Sequence, residues 1–261
     1  MDEWKTDKGL KFEMIEPMTK WKVSFEGDVV ELYSRRPHKL AFNFEWNKKS
    51  GIFDADTDMD EWVIADAIAS EKWSRKFFDD LKEFHQTHYE VYGELAGQVV
   101  VDNKSPLQWN LTSMKDRSFG KHRFWGDFRR YILHYIGTES GLYIGCHFVS
   151  ITKTFSHLIV GFVMDKNGNK DIIRTTTQTL LEIGENKLPF DKPYSFQLKD
   201  TKGKTYDINI RVVENVKFFC RPDRDGTLYS AFVQGTVNGS KACGLCEYEY
   251  NSTIFLSLLA D

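Results

Sequence analysis

The segment Lys39–Trp46 (KLAFNFEW) alternates without a break, with Ala41, Asn43 and Glu45 on one side and Phe42, Phe44 and Trp46 on the other. That period fits a half-buried strand and does not fit the 3.6-residue repeat of an amphipathic helix. Similar short segments recur along most of the chain, at Thr19–Glu26, His88–Glu94, Gly97–Asp102, Gln108–Ser113, Arg129–Ile136, Gly141–Thr152 and His157–Met164. They continue at Asp171–Arg174, Thr179–Ile183, Ser195–Lys199, Tyr206–Val213, Lys217–Cys220, Leu228–Gly235 and Leu245–Tyr250. Most connections have hairpin length, Asp165-Lys-Asn-Gly168 being the clearest turn. Strand–helix–strand alternation is missing, which argues against a parallel sheet.

The period changes once. Asp60–Ala69 is rich in helix formers behind an acidic start, as the helix dipole favours. Trp73, Phe77, Phe78, Leu81 and Phe84 follow at helical spacing and predict one wide aromatic face. The sequence therefore predicts an all-β protein with a short helical insertion near 58–84. So many strands exceed one eight-stranded barrel and suit two. The turn Gly137-Thr-Glu-Ser-Gly141 marks the expected boundary, giving a first barrel over 1–138 and a second over 139–261.

Composition narrows the function. The chain of 261 residues carries a formal charge of −3, with 41% hydrophobic and 28% charged residues, so a nucleic-acid partner is not expected. No run of about 18 apolar residues is present, hence no expected membrane helix. The start, Met-Asp-Glu-Trp-Lys, has no signal-peptide character, and the expected compartment is the cytoplasm. Aromatic residues reach 15%, which fits a β-rich core and also an aromatic-lined ligand cavity.

Metal and redox signals are thin. Of Cys146, Cys220, Cys243 and Cys246, the last two have CxxC spacing, but no second ligand pair follows and the context reads as a strand. Asp54, Asp56, Asp58 and Asp60 alternate like a calcium loop, yet Met59 and Ala65 stand where that loop needs Gly and Glu. An acidic turn ending in a helix cap is the better reading. Period two puts His88 and Glu90 on one strand face and His85 on the other, which counts against a shared metal. Neither a metal nor a cofactor is expected, and no nucleophile elbow, phosphate loop or dinucleotide fingerprint is present.

The densest constellation runs from Met114 to His134. Basic residues there interleave with Phe119, Phe124, Trp125 and Phe128, around Asp116, Arg117 and His122. An Asp–Arg ion pair in a barrel wall is one reading of Asp116–Arg117. A carboxyl at a cavity mouth, tuned by apolar surroundings, is another.

The run Lys115–Trp125 resembles the Asp-His-x-Trp/Phe-Gly signature of the hydroxyneurosporene-synthase-like family, the AttH-like carotenoid 1,2-hydratases. His88–Gly97 is similar to that family's Glu-Gln-x-Gly-x-x-x-Gly strand pair, and Gly244–Tyr250 to its terminal Gly-x-x-Glu strand. With Glu16-Pro17-Met18, Trp21 and Trp73–Phe78, nearly the whole chain resembles the amino-terminal module of invertebrate phosphoenolpyruvate-synthase-like proteins. The resemblance implies paired lipocalin-like barrels and acid-assisted water addition to, or cyclisation of, isoprenoids, with the acid on Asp116. It departs at Arg117, where the family has His. A cation beside Asp116 favours the ionised carboxylate, a base or an orienting group instead of a donor to an alkene.

Two main functions follow from these readings. One is a binding protein that holds an apolar small molecule, an isoprenoid, carotenoid or related lipid or polyene, in an aromatic-lined β-barrel cavity. The other is a cofactor-free hydratase, cyclase or isomerase. Asp116, Arg117 and Glu90 are the candidate catalytic residues. Tyr92, Phe119, Trp125, Phe42, Phe44, Trp46 and His122 are the candidate ligand contacts. A third class, an interaction module, has no surface that the sequence localises.

Overall fold

The structure is a computed structural model that describes residues 3–122, 124–180, 192–219 and 226–251. Parts of the expected Thr179–Ile183 and Lys217–Cys220 segments, at 181–183 and Cys220, lie outside the described residues. The described strands are β1 (Glu3–Lys5), β2 (Lys11–Glu16), β3 (Lys20–Val30), β4 (Pro37–Asp54), β5 (Gln86–Val101), β6 (Leu107–Gly120) and β7 (Phe128–Thr138). They continue as β8 (Leu142–Ile151), β9 (Leu158–Asp165), β10 (Lys170–Thr176), β11 (Tyr194–Asp200), β12 (Thr205–Phe219), β13 (Gly226–Val237) and β14 (Ser240–Asn251). Between β4 and β5 come α1 (Ala55–Asp58), α2 (Glu61–Ala69) and α3 (Arg75–Glu83), and Trp125–Asp127 forms a 3-10 turn. The protein is all-β with its helices where the period change places them.

The chain divides into two compact units, one of Met1–Ser50 with Glu90–Lys115 and the other of Gly51–Tyr89 with Asp116–Asp261. The expected boundary at 138/139 falls instead in the turn joining β7 to β8, which pair from Phe128↔Ile151 to Gly137↔Tyr143. The strands β4, β5 and β6 are longer than the segments read from sequence and run from one unit into the other. The two short segments His88–Glu94 and Gly97–Asp102 are one strand, β5, because Leu95-Ala96 does not break the ladder.

The first unit is built on the antiparallel order β1-β2-β3-β4-β5-β6. The registers Trp21↔Trp46, Val23↔Phe44 and Phe25↔Phe42 align the apolar side of β4 with that of β3. Phe44 and Trp46 are buried, and Phe42 stacks on Phe25 at 5.7 Å. Gly93 admits the Trp46 indole, because a Cβ there would stand 2.3 Å from Trp46 Cε2.

The second unit closes into an eight-stranded barrel in chain order, β14 pairing back onto β7. Its lumen is filled. Ile132 and Ile136 of β7, Ile144, Cys146 and Phe148 of β8, and Cys246 and Tyr248 of β14 belong to one buried cluster with Leu198, Tyr206 and Ile208. Eight strands leave an interior that side chains can pack completely. His134 shares this lumen, its Nε2 2.9 Å from the Tyr194 hydroxyl, and burial, then His147, pulls its pKa to about 3. The alternate residues of β7, β8, β9 and β14 face outward, and that outer face carries the site.

Helices cover part of it. Asp54 and Asp60 cap α1 and α2, and Ser74 caps α3. Side-chain oxygens of this kind satisfy N–H groups left open at a helix start. The acidic turn is therefore a pair of helix caps, with Asp58 also 2.5 Å from Lys170 Nζ. The expected single aromatic face does not form: Phe77 of α3 is buried, its neighbour Phe78 is 42% exposed, and Trp73, ahead of the helix cap, is 64% exposed.

Candidate functional site

Outward-facing residues form rows across the barrel wall. One row runs Glu247–Leu133–His147–Val160 over β14, β7, β8 and β9. The next runs Glu249–Tyr131–Val149–Leu158 over the same strands. With α2, α3 and the ends of β5 and β6 that belong to the same unit, these rows enclose a cavity of about 740 Å³. Ile64 and Ile68 of α2, and Leu81 and Phe84 at the end of α3, supply apolar wall, as do Trp125 and Phe128. A volume of this size suits a drug-sized ligand. The sequence led to a ligand inside a barrel; the structure corrects the place. Among the described residues the lumen is packed with buried side chains, and this cavity lies against the outside of the barrel.

The polar end of the cavity is assembled from six strands, β5, β6, β7, β8, β13 and β14. Asp116 and Ser118 of β6 both line it. The Tyr135 hydroxyl donates to Asp116 Oδ2 at 3.0 Å. His88 Nδ1 lies 2.8 Å from Ser118 Oγ and 3.5 Å from Asp116 Oδ1. The His147 ring packs on Tyr135 at 4.8 Å and edge-on to His88 at 6.1 Å. Ser230 Oγ donates to Glu247 Oε1 at 3.3 Å. Burial pushes the Glu247 carboxyl above the usual carboxylate range; the Ser230 hydrogen bond opposes this, the Asp116 charge adds to it, and His147 opposes it. A carboxyl held toward its protonated form near a second carboxyl that accepts hydrogen bonds is an acid–base arrangement.

The candidates named from sequence are scattered by this geometry. Asp116 and Trp125 line the cavity. Arg117 does not join Asp116, because alternation on β6 turns it to the opposite face, where it lies over the Phe119 ring at 5.6 Å. The expected buried Asp116–Arg117 pair is therefore absent among the described residues, and Phe119 is half exposed beside Arg117. Phe42, Phe44, Trp46, Tyr92 and Glu90 belong to the first unit, outside this cavity's lining; Glu90 and Tyr92 are fully buried on β5. His122 is bound to Glu83 Oε1 at 2.6 Å and is not among the lining residues. In the CxxC pair, Cys243 is exposed and Cys246 buried, on opposite sides of β14.

Sequence reasoning missed Glu247, His147 and Tyr135 as site residues. His147 and Tyr135 sit in strands that read as ordinary wall, Glu247 ends the Gly-x-x-Glu run to which the resemblance gave no role, and its place beside them follows from the closure of β14 on β7. The signal available was a polar residue inside an otherwise apolar strand: His147 within LYIGCHFVSI.

A closed antiparallel barrel joined to a second large antiparallel sheet is the lipocalin-like fold of the AttH and hydratase type. Kievitone hydratase from Nectria haematococca superposes with a TM-score of 0.50 at 10% identity, over 92% of this chain and 82% of that protein. An AttH-like protein from Nitrosomonas europaea superposes with a TM-score of 0.56 at 11% identity, over 92% of this chain and 67% of the other. The chain belongs to the family of unknown function DUF8627, whose model matches residues 1–250. No curated protein matches it significantly in sequence. No described helix is long and apolar enough to cross a membrane.

Proposed function

We propose that the protein binds an apolar small molecule in the cavity on the outer barrel wall and acts on it as a cofactor-independent acid–base catalyst of the hydratase or cyclase type. One observation supports this most: Asp116 with its hydrogen-bond donor Tyr135, His88, His147 and Glu247 meet at one part of a cavity whose wall is largely apolar and aromatic. Pure storage of a hydrophobic ligand does not call for paired carboxyls in the wall, since each costs desolvation. One structural relative is named a hydratase, and water addition is the reaction class to examine first. In such a step the Glu247 carboxyl gives its proton to one alkene carbon. Water bonds the other carbon, and the proton it sheds passes to the Asp116 carboxylate; solvent exchange returns the pair to its starting state. Isoprenoids and carotenoids are the substrate classes that the family resemblance proposes. The likeness to modules of phosphoenolpyruvate-synthase-like proteins is kept at the same level, as a proposal about ancestry.

The test incubates the purified protein with a panel of isoprenoid and polyketide alkenes in ¹⁸O-water, with EDTA in a parallel arm. Products gaining one labelled water, or isomers of the starting mass, are expected in both arms, and Asp116→Asn should abolish them. Bound but unchanged ligands across the panel would leave a binding protein and sink the catalytic reading.

A further inference from the structure

The cavity's polar lining has one sign. It contains the carboxyls of Asp56, Asp116 and Glu247, and no lysine or arginine occurs among the described lining residues. Lys153, which stands over the lining ring of Phe84 at 4.3 Å, is already paired with Asp127 Oδ1 at 3.1 Å. Lys115 and Arg117, which flank Asp116 in β6, alternate to the opposite face, Lys115 over the Trp21 ring at 4.3 Å and Arg117 over the Phe119 ring at 5.6 Å. Protonated imidazoles do not fill the gap. His85 Nε2 is 3.1 Å from Asp56 Oδ1 and His88 Nδ1 is 3.5 Å from Asp116 Oδ1, so a proton on either is matched by a carboxylate already present, and His147, the third lining imidazole, already interacts electrostatically with the Glu247 carboxyl. An anionic head group entering this space loses its water and meets no fixed positive charge, only carboxyls in a medium where charge repulsion is poorly screened. The wall instead offers acceptors, Asp116 first, to a ligand that brings an O–H.

We infer that the cavity selects uncharged ligands whose polar end donates a hydrogen bond, an alcohol or a phenol on an apolar skeleton, and that Asp116, with Asp56, excludes anions such as free fatty acids and prenyl diphosphates. The inference rests on the cavity being the ligand site. It adds the charge of the ligand, which the shape of the cavity does not fix.

Matched pairs isolate the head group: retinol against retinoate, and farnesol against farnesoate, titrated at pH 7.5 by quenching of tryptophan fluorescence, with isothermal calorimetry as a second readout. Each alcohol should bind at least about tenfold more tightly than its acid. Asp116→Asn and Asp56→Asn, singly and together, should narrow that gap, mainly by improving binding of the acids. Circular dichroism of each variant confirms folding, and either single variant suffices if the double one fails. Equal affinity for alcohol and acid, or a gap that all folded variants leave unchanged, overturns the charge selection while the cavity remains the ligand site. If neither member of either pair binds, the cavity reading falls and the inference falls with it.

Discussion

Asp60 joins a helix cap and an ion pair in one side chain. Its Oδ1 accepts from Trp62 N at 3.0 Å and Val63 N at 3.2 Å, opening α2. The same carboxylate takes Arg174 Nε at 3.2 Å and Nη2 at 2.7 Å, and its side chain is only 6% exposed. The two roles separate by substitution. Asparagine still caps, so Asp60→Asn removes only the charge; alanine removes both. Loss of an N-cap costs about 1 kcal/mol. The ion pair lies between the roughly 1 kcal/mol or less of exposed pairs and the roughly 3–5 of broken buried ones, and Arg174, 40% exposed, moves it toward the lower end. We expect about 1–2 kcal/mol for Asp60→Asn and about 2–3 for Asp60→Ala, from the sum of these contributions. Urea unfolding followed by tryptophan fluorescence measures both, and an Arg174→Gln background should shrink the asparagine effect by most of its size.

The pH dependence follows in sign. Hydrogen bonding to Arg174 holds the Asp60 carboxyl below the usual aspartate range. Its contribution is therefore present above the ordinary aspartate pKa and is lost as pH falls through the lowered one. The difference between wild type and Asp60→Asn should close in acid. Equal losses for the asparagine and alanine variants would deny the cap, and a loss of under about 0.5 kcal/mol for alanine would refute the whole account.

Three further outcomes are expected. Asp116→Asn should cost no more than about 1 kcal/mol in a thermal melt, because the partly exposed Asp116 is not paired with Arg117, yet it should remove turnover; a loss of several kcal/mol would mean that a buried pair exists. Glu247 has a raised pKa, so its carboxyl favours the folded state most below the usual glutamate range and loses that advantage as pH rises through the folded value. Relative to wild type, Glu247→Gln should grow more stable from pH 4 to pH 8, and a flat difference in melting temperature would contradict this. Gly93→Ala should destabilise the protein by about 1–3 kcal/mol by displacing the Trp46 indole, and an unchanged urea midpoint would show that the indole has room to move.

The fold was readable because the period-two pattern is a local property. Phe42, Phe44 and Trp46 announce their strand without help from the rest of the chain, and the acidic run announces the helix caps at Asp54 and Asp60. Alternation also carried the information that misled the site. Asp116 and Arg117 are neighbours in sequence and so, in a strand, point to opposite faces; treating them as a pair used chain proximity where the period forbids it. Alternation puts Phe42, Phe44 and Trp46 on one apolar face, the pattern of a ligand-bearing wall, and that face packs against β3 within the first unit. Glu247 and Asp116 are separated by most of the second unit in sequence, and their common location depends on a ring closure that no local pattern encodes.

The filled lumen has a consequence for how such a protein changes over time. On β7, positions 132 and 136 secure the barrel while 131 and 133 touch the cavity, and β8 and β14 divide their residues in the same way. Structural duty and chemical duty are thus interleaved along one backbone but point to opposite sides of it. Substitutions at Leu133, Val149 or Val160 can reshape what the cavity accepts without opening a void among Ile132, Ile144 and Phe148. A barrel that held its ligand inside would have to repack its own core with every new substrate. Here, new specificities can be tried on the outer wall while the lumen keeps the scaffold folded, and a randomised library confined to the outward positions should retain a high proportion of folded members.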